Sequence, residues 1–247
     1  MTDLSYSLSI EETIKTAWNK VSGAKGTIWA ALIILFAVAL GLGLVNVMLS
    51  AMLPKVGPVF NVVFQVLIYL LDMGILYIGI KRAMDMPISY GLVFHAFSNG
   101  LPVKIILLYI LQILICFIPV LLMLASAFTY DMEQASGQTF LFMSLSILLF
   151  VAGLLGTIYI TIRLMLSMGF VLDKQMSPIN AIKSSFRATQ CNFWNIFFIF
   201  LLQSLIIAIS AIPLGIGLIW TIPFSLINYG VIYKNLSTNN LKINSVA

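Results

Sequence analysis

Long apolar runs divide the chain, and charge falls almost entirely between them. No charge interrupts the sequence from Lys25 to Lys55, which predicts a first membrane span near residues 27–50. Pro54 and Pro58 punctuate a short connection. A second span is expected over 59–80, with Asp72 inside it and Lys81, Arg82 and Asp85 ending it. A third covers 105–127 and is followed by a polar loop with Asp131, Glu133 and Gln134. The fourth runs over 138–172, broken only by Arg163, and is long enough that it must tilt, kink or project from a bilayer. From Ala188 to Tyr233 there is again no charge. As one helix that stretch is about 69 Å long at ~1.5 Å per residue, more than twice the ~30 Å of a hydrocarbon core. It must fold back, and Pro213-Leu214-Gly215-Ile216-Gly217 is the breaker. Spans over 193–212 and 218–233 result. The reading is an all-α polytopic membrane protein with six spans, or five if the Asp72 segment does not insert.

Between the spans lie three short segments with one apolar face. In 9–22, Ser9 and Glu12 form a capping-box pattern, and Ile10, Ile14, Trp18 and Val21 recur at helical spacing. Glu11 and Lys15 are expected to pair on the polar side. In 177–189, Pro178 sits at a helix start, Ile179, Ile182 and Phe186 share a face, and Lys183 and Arg187 lie on another. In 87–99, Val93, Phe94 and Phe97 are apolar and His95 is expected to face water or headgroups. Such helices lie in the membrane interface, or serve as plain connectors. Each precedes a pair of spans, so the single membrane domain, 1–247, reads as three units at about 9–82, 87–172 and 177–236. At an offset of 91, Pro87-Ile88 falls on Pro178-Ile179, Gln112 on Gln203 and Asp72 on Arg163. At 156, Asp72-Met73-Gly74 falls on Asn228-Tyr229-Gly230.

Composition agrees. Of 247 residues 61% are hydrophobic and 9% charged, against about 25% charged in a soluble domain. The net charge of +5 does not point to nucleic acid, because the basic residues stand at span ends rather than in a stripe with aromatics. They orient the chain. With both termini inside, eleven Lys and Arg face the cytoplasm and only Lys55 faces out, with Arg163 left in the membrane. Five spans would spoil that asymmetry. No cleavable signal peptide is expected, since no apolar run starts before Thr27. Cys116, expected in a span, and Cys191, at the interface, read as free thiols.

Asp72, Arg163 and Asn228 are the polar residues at equivalent places in spans two, four and six. Asp72 lies about 13 Å and Arg163 about 15 Å up their helices from the nearest flanking charge, at ~1.5 Å per residue. Intramembrane charge is costly and needs a partner or a wet cavity. Two readings stand: a structural Asp72–Arg163 pair with Asn228 hydrogen-bonded to it, or a polar cavity for a lipid headgroup, ion or proton. Arg163 reaching toward the cytoplasmic face would remove both. Gly41, Gly43, Gly153 and Gly156 allow close helix approach, and Gln112 and Gln203 are suited to interhelical hydrogen bonds. Trp18, Trp29, Trp194 and Trp220 read as interface anchors. No nucleotide loop, nucleophile elbow, zinc-protease motif or carboxylate pair occurs. No metal, cofactor or enzymatic activity is expected.

The run from Arg163 to Asp173, then Ser177-Pro-Ile-Asn-Ala-Ile-Lys-Ser-Ser-Phe-Arg187, Asn192-Phe-Trp194 and the closing Gly215-Ile-Gly217, Ile222-Pro223 and Tyr233, resembles a broad group of bacterial inner-membrane proteins. The group comprises the YciC-like proteins and the membrane domain attached to some glycerophosphoryl diester phosphodiesterases. The likeness covers about the last 85 residues closely and the first half by architecture. It implies a six-span helical domain of the bacterial inner membrane, plausible in envelope or lipid homeostasis, and a role for Arg163. The phosphodiesterase catalytic domain is absent from the sequence.

The expectation is therefore a non-enzymatic lipid-handling or helper protein. Its partners are membrane lipids, through Trp18, Lys183, Phe186 and Arg187, and another envelope protein. The alternative is a small-solute or ion transporter or channel built on the intramembrane polar level. Substrate and oligomeric state are not legible.

Overall fold

The structure, a computed structural model, describes residues 7–98, 100–136, 139–212 and 214–244, with side chains outside 130–139 and 239–244. Every regular element among them is helical. Helix α1 (Ile10–Val21) is followed by α2 (Lys25–Met52) and α3 (Gly57–Ala83). A short 3-10 helix (Tyr90–Phe97) precedes α4 (Leu101–Ser136), α5 (Thr139–Leu164) and α6 (Ser167–Lys174). Then come α7 (Pro178–Thr189), α8 (Phe193–Ala211) and α9 (Leu218–Asn244). Five stretches are long and apolar enough to cross a membrane: α2, α3, residues 101–129 of α4, residues 140–174 through α5 and α6, and α8. The segment expected as a sixth span lies in α9 and is not among the five. The Asp72-bearing α3, the one in doubt from sequence, is.

Packing is concentrated at the end of the molecule that carries Lys20, Arg82, Lys104 and Lys234. Two adjoining clusters fill it. One joins Leu70, Tyr77 and Ile80 of α3 to Ile105 and Leu108 of α4, Leu166 and Phe170 around the start of α6, Ile196 of α8 and Tyr233 of α9. The other joins Ala17 and Val21 of α1 to Ile28 and Ala31 of α2, Ile75 and Ile78 of α3, and Phe224 and Ile227 of α9. Away from this end the helix pairs stand apart, and Phe36, Leu44, Met48, Val62, Phe117, Ile118, Leu148 and Leu155 are all exposed. Each pair holds itself together by small residues. A Cβ on Gly57 would lie 2.9 Å from Ser50 Oγ, and one on Gly153 would lie 2.8 Å from the Pro119 carbonyl. Gly153 and Gly156 thus bring α5 onto α4 as expected. Gly41 and Gly43 do not play that part, since nothing lies within 4 Å of either added Cβ.

Two boundaries differ from expectation. The polar loop after residue 127 is helical, because α4 runs on to Ser136. Residues 127–136 hold no proline or glycine, and Ala, Met, Glu and Gln among them favour helix. The fourth apolar run is not continuous: α5 stops at Leu164 and α6 restarts at Ser167. The Ser167 hydroxyl donates to the Leu164 carbonyl, competing with the helix's own bonds. Tyr229 of α9 spans the break, its hydroxyl donating to the Met165 carbonyl at 2.8 Å and accepting from the Gly169 amide at 3.1 Å. The fold-back between α8 and α9 falls where expected. Leu214 and Gly215 take left-handed φ of 52° and 76°; Pro213 lies outside the described residues.

The three surface segments are helical, and small residues share their inner faces with part of the apolar set: Val21 and Val93 are buried, and Ile10, Ile14 and Ile182 pack half-buried against the core. Ser9 caps α1, accepting from the Glu12 amide at 3.3 Å, but the buried stripe is Thr13, Ala17 and Val21. Glu11 and Lys15 are both exposed and form no ion pair. In α7 the buried residues are Ala181, Ser185, Ala188 and Thr189, while Ile179 is exposed. The middle segment is a 3-10 helix, so its inward residues recur every three. Val93 and Ala96 are buried, and Phe94 and Phe97 face out. Small residues win the inner face because these helices lie close against long ones. A Cβ on Gly74 of α3 would fall 1.9 Å from the Val93 carbonyl.

Candidate functional site

The structure does not bring Asp72, Arg163 and Asn228 together. Among the described residues the ion pairs are Lys20–Asp85 and Lys234–Asp85, so the expected Asp72–Arg163 pair is not formed. Each member has its own surroundings.

Arg163 is the last residue but one of α5, and it is held by α7. Its carbonyl accepts from the Ser185 hydroxyl at 2.6 Å. Its Nη1 donates to Thr189 Oγ1 at 3.2 Å, and Thr189 in turn donates to the Ser185 carbonyl at 2.9 Å. The guanidinium lies 5.0 Å from the centre of the Phe186 ring and 5.7 Å from that of Tyr159. Its Nε is buried and has no acceptor. The residue sits level with the end of a surface helix because α5 ends here. Counting ten residues up from Asp173 placed it deep only on the assumption of an unbroken helix.

Asn228 is fully buried, its amide donating to Gln203 Oε1 of α8 at 2.6 Å. Gln112 bonds across helices as well, donating to Ser167 Oγ at 2.9 Å. Both glutamines do what their position in apolar runs suggested. Asp72 is exposed on α3. Asn61, Gln65 and Asp72 recur on one stripe of that helix and are all exposed. Gly79, seven residues on, continues the stripe and meets α9, where an added Cβ would lie 2.4 Å from the Leu226 carbonyl. The stripe is covered at Gly79 and open at Asp72, so α3 and α9 diverge between these levels.

Among the surface-helix residues, Trp18 is exposed and packs edge-on against Phe224 with ring centres 5.5 Å apart. Lys183 and Arg187 are exposed on α7, and Phe186 is half-buried under Arg163. His95 is not turned to water. It stacks on Tyr77 with centroids 3.9 Å apart and planes 10° from parallel, and its Nε2 lies 3.4 Å from the Leu172 carbonyl. Burial pushes its imidazole below the usual histidine range, against the opposite pull of that carbonyl and helped by Lys81.

Sequence reasoning missed Asp85. At left-handed φ 61°, it binds Lys20 of α1 and, at 3.3 Å, Lys234 of α9. Beside it, Arg82 donates from Nε to the Lys20 carbonyl at 2.9 Å and from Nη2 to the Ser22 carbonyl at 2.7 Å. This knot ties α1, α3 and α9 at the basic end. Hydrogen bonds from Lys20 and Lys234 hold the Asp85 carboxyl below its usual range. Its partners lie 65 and 149 residues away, and no local pattern announces them.

Chemically, these are positioning contacts plus one cation with spare donors. Among the described residues no group of three His, Cys, Asp or Glu could hold a metal, and Cys116 and Cys191 are free. No protein family, curated protein or solved structure matches the chain.

Proposed function

We propose that this chain is a six-span, non-enzymatic protein of a bacterial inner membrane, with both ends cytoplasmic, that handles lipid or assists an envelope partner in doing so. The observation that carries the reading is the distribution of bare apolar surface. Away from the basic end the helix pairs present Phe36, Leu44, Met48, Phe117, Ile118 and Leu148 outward, surface that lipid covers at no cost. At the basic end three short helices pack against the long ones with Trp18, Phe94 and Phe97 exposed, as suits interface-lying helices. Counting α9 as a span keeps the basic residues on one side. Its modest hydropathy suits a helix shielded by protein, since Phe224, Ile227, Asn228, Val231 and Tyr233 are all buried.

Three repeats follow from the same register. Helices α1 and α7 and the starts of α2 and α8 correspond at an offset of 168. Near the starts of the leading long helices the corresponding pairs Ile28/Ala31, Ile105/Leu108 and Ile196/Ile199 are all buried. In the returning helices Leu71, Ile162 and Ile227 correspond, as do Ile75, Leu166 and Val231, then Tyr77, Met168 and Tyr233, then Ile80, Val171 and Leu236, every one of them buried. Asp72, Arg163 and Asn228 stand one residue after the first of these sets. The resemblance to YciC-like and phosphodiesterase-attached membrane domains belongs to this reading.

Mass spectrometry of lipid retained by the purified chain tests it. Enrichment of one phospholipid class over its share in the source membrane is expected. Retained lipid that mirrors bulk composition would remove the lipid-handling role. A second reading, a transporter or channel, is favoured by the uncovered Asn61, Gln65 and Asp72 stripe alone. Cysteines placed at Ile68 and Leu76 and exposed to a water-soluble thiol reagent decide it: modification in intact membranes means a wet path, and protection means lipid or a partner helix covers the stripe.

A further inference from the structure

We infer that Arg163, at the junction of α5 and α7, binds the phosphate of a membrane phospholipid; the inference rests on the lipid-handling reading and names the group recognised. A guanidinium has five N–H donors. Here one Nη1 bond, to Thr189 Oγ1 at 3.2 Å, is made within the protein. The Nε–H is buried without an acceptor, a costly state for a donor on a charged group. Among the described residues no carboxylate forms an ion pair with it. Asp85 is engaged by Lys20 and Lys234, Asp173 accepts from Tyr233 at 3.0 Å, and α7 adds only Lys183 and Arg187. The excess of positive charge calls for an anion.

The walls decide which anion. The Phe186 and Tyr159 rings lie 5.0 Å and 5.7 Å from the guanidinium, and its remaining N–H groups form a fork that matches two oxygens of a phosphate. Tyr159 packs on Phe193, which meets the exposed Trp194 and, through it, the exposed Phe198, an apolar surface that acyl chains would cover. A free anion would leave it bare. The site lies at a surface helix, where headgroups sit. An anionic headgroup also suits Lys183 and Arg187.

The test uses the full chain in detergent micelles, titrated with phosphatidylglycerol or with diacylglycerol, which lacks phosphate, and read by native mass spectrometry. Phosphatidylglycerol should bind the wild type and diacylglycerol should not. R163Q should lower occupancy roughly tenfold or more, with R163K intermediate because it keeps the charge and loses the fork. Hydrogen exchange on the wild type keeps the question open to refutation if R163Q does not fold: phosphatidylglycerol should slow exchange over 182–190. Equal binding by R163Q, or no protection of 182–190, overturns the inference. Equal protection by millimolar inorganic phosphate overturns the lipid as its source. If selective lipid retention persists while 182–190 stays unprotected, this site falls and lipid handling stands. If no lipid is retained selectively, lipid handling itself falls.

Discussion

Arg163 and Asp72 show how far a single anomalous residue can be read. Their charge within apolar runs marked them; the structure leaves Asp72 exposed on α3 and sets Arg163 against α7. Their partners were not legible, since contact depends on where helices stop and diverge. Asn228 and Gln203 are a cleaner case: two amides on neighbouring helices found each other. N228L should cost about 1–3 kcal/mol by stranding the Gln203 amide. The double change N228L/Q203L should recover most of that in a thermal unfolding cycle in detergent; equal losses in the single and double variants would show that the amides do not couple. His95 carries a pH signature. Its imidazole is held low by burial, so between about pH 6.5, the unfolded value, and the lower folded value the unfolded chain binds more protons. Stability therefore rises with pH through that window and is lost on acidification. H95Q should flatten the decline in melting temperature from pH 7.5 to 5.0. An unchanged slope would mean that other groups set it.

At the scale of elements, apolar periodicity located the surface helices and part of their inner faces, Val21 and Val93 among them, but missed the small residues buried beside these. Against a long helix the close-packed side is the one with small residues, as Thr13/Ala17 and Ala181/Ser185 show. Large apolar residues such as Trp18 and Phe94 remain free for the interface. Glycines report the same economy of space. Gly79 and Gly230 sit where α3 and α9 touch backbone to backbone, with added Cβ atoms at 2.4 Å and 2.5 Å from carbonyl oxygens. G79A or G230A should each cost about 1–3 kcal/mol through overpacking. G41A or G43A, with open space around them, should be neutral or gain up to ~1 kcal/mol from helix propensity; thermal melts of the four variants separate the two classes. D85N keeps a residue that tolerates the left-handed φ while removing the charge that holds Lys20 and Lys234. It should raise hydrogen exchange across α1. The same loosening should appear in the wild type only in strong acid, because a carboxyl held low loses its contribution as pH falls below about 3.9 toward its folded value.

For the whole molecule, the consequential question is whether α9 crosses the membrane. Six crossings return the C-terminus to the side of the N-terminus, and five do not. A reporter active only in the cytoplasm should work when fused after Thr238 and fail when inserted at Leu214; failure at both sites would leave α9 at the surface.

Length and polarity of the apolar runs determined the helical, membrane-compatible class, most span positions and the α8–α9 turn, because these follow from the cost of unpaired backbone and charge in hydrocarbon, which acts locally along the chain. Tertiary structure alone decided that α5 ends at Leu164, that Arg163 meets α7 rather than Asp72, and that Asp85 joins three helices. Those contacts depend on where separate helices stop, cross and part, and that geometry is set by packing between residues far apart in sequence.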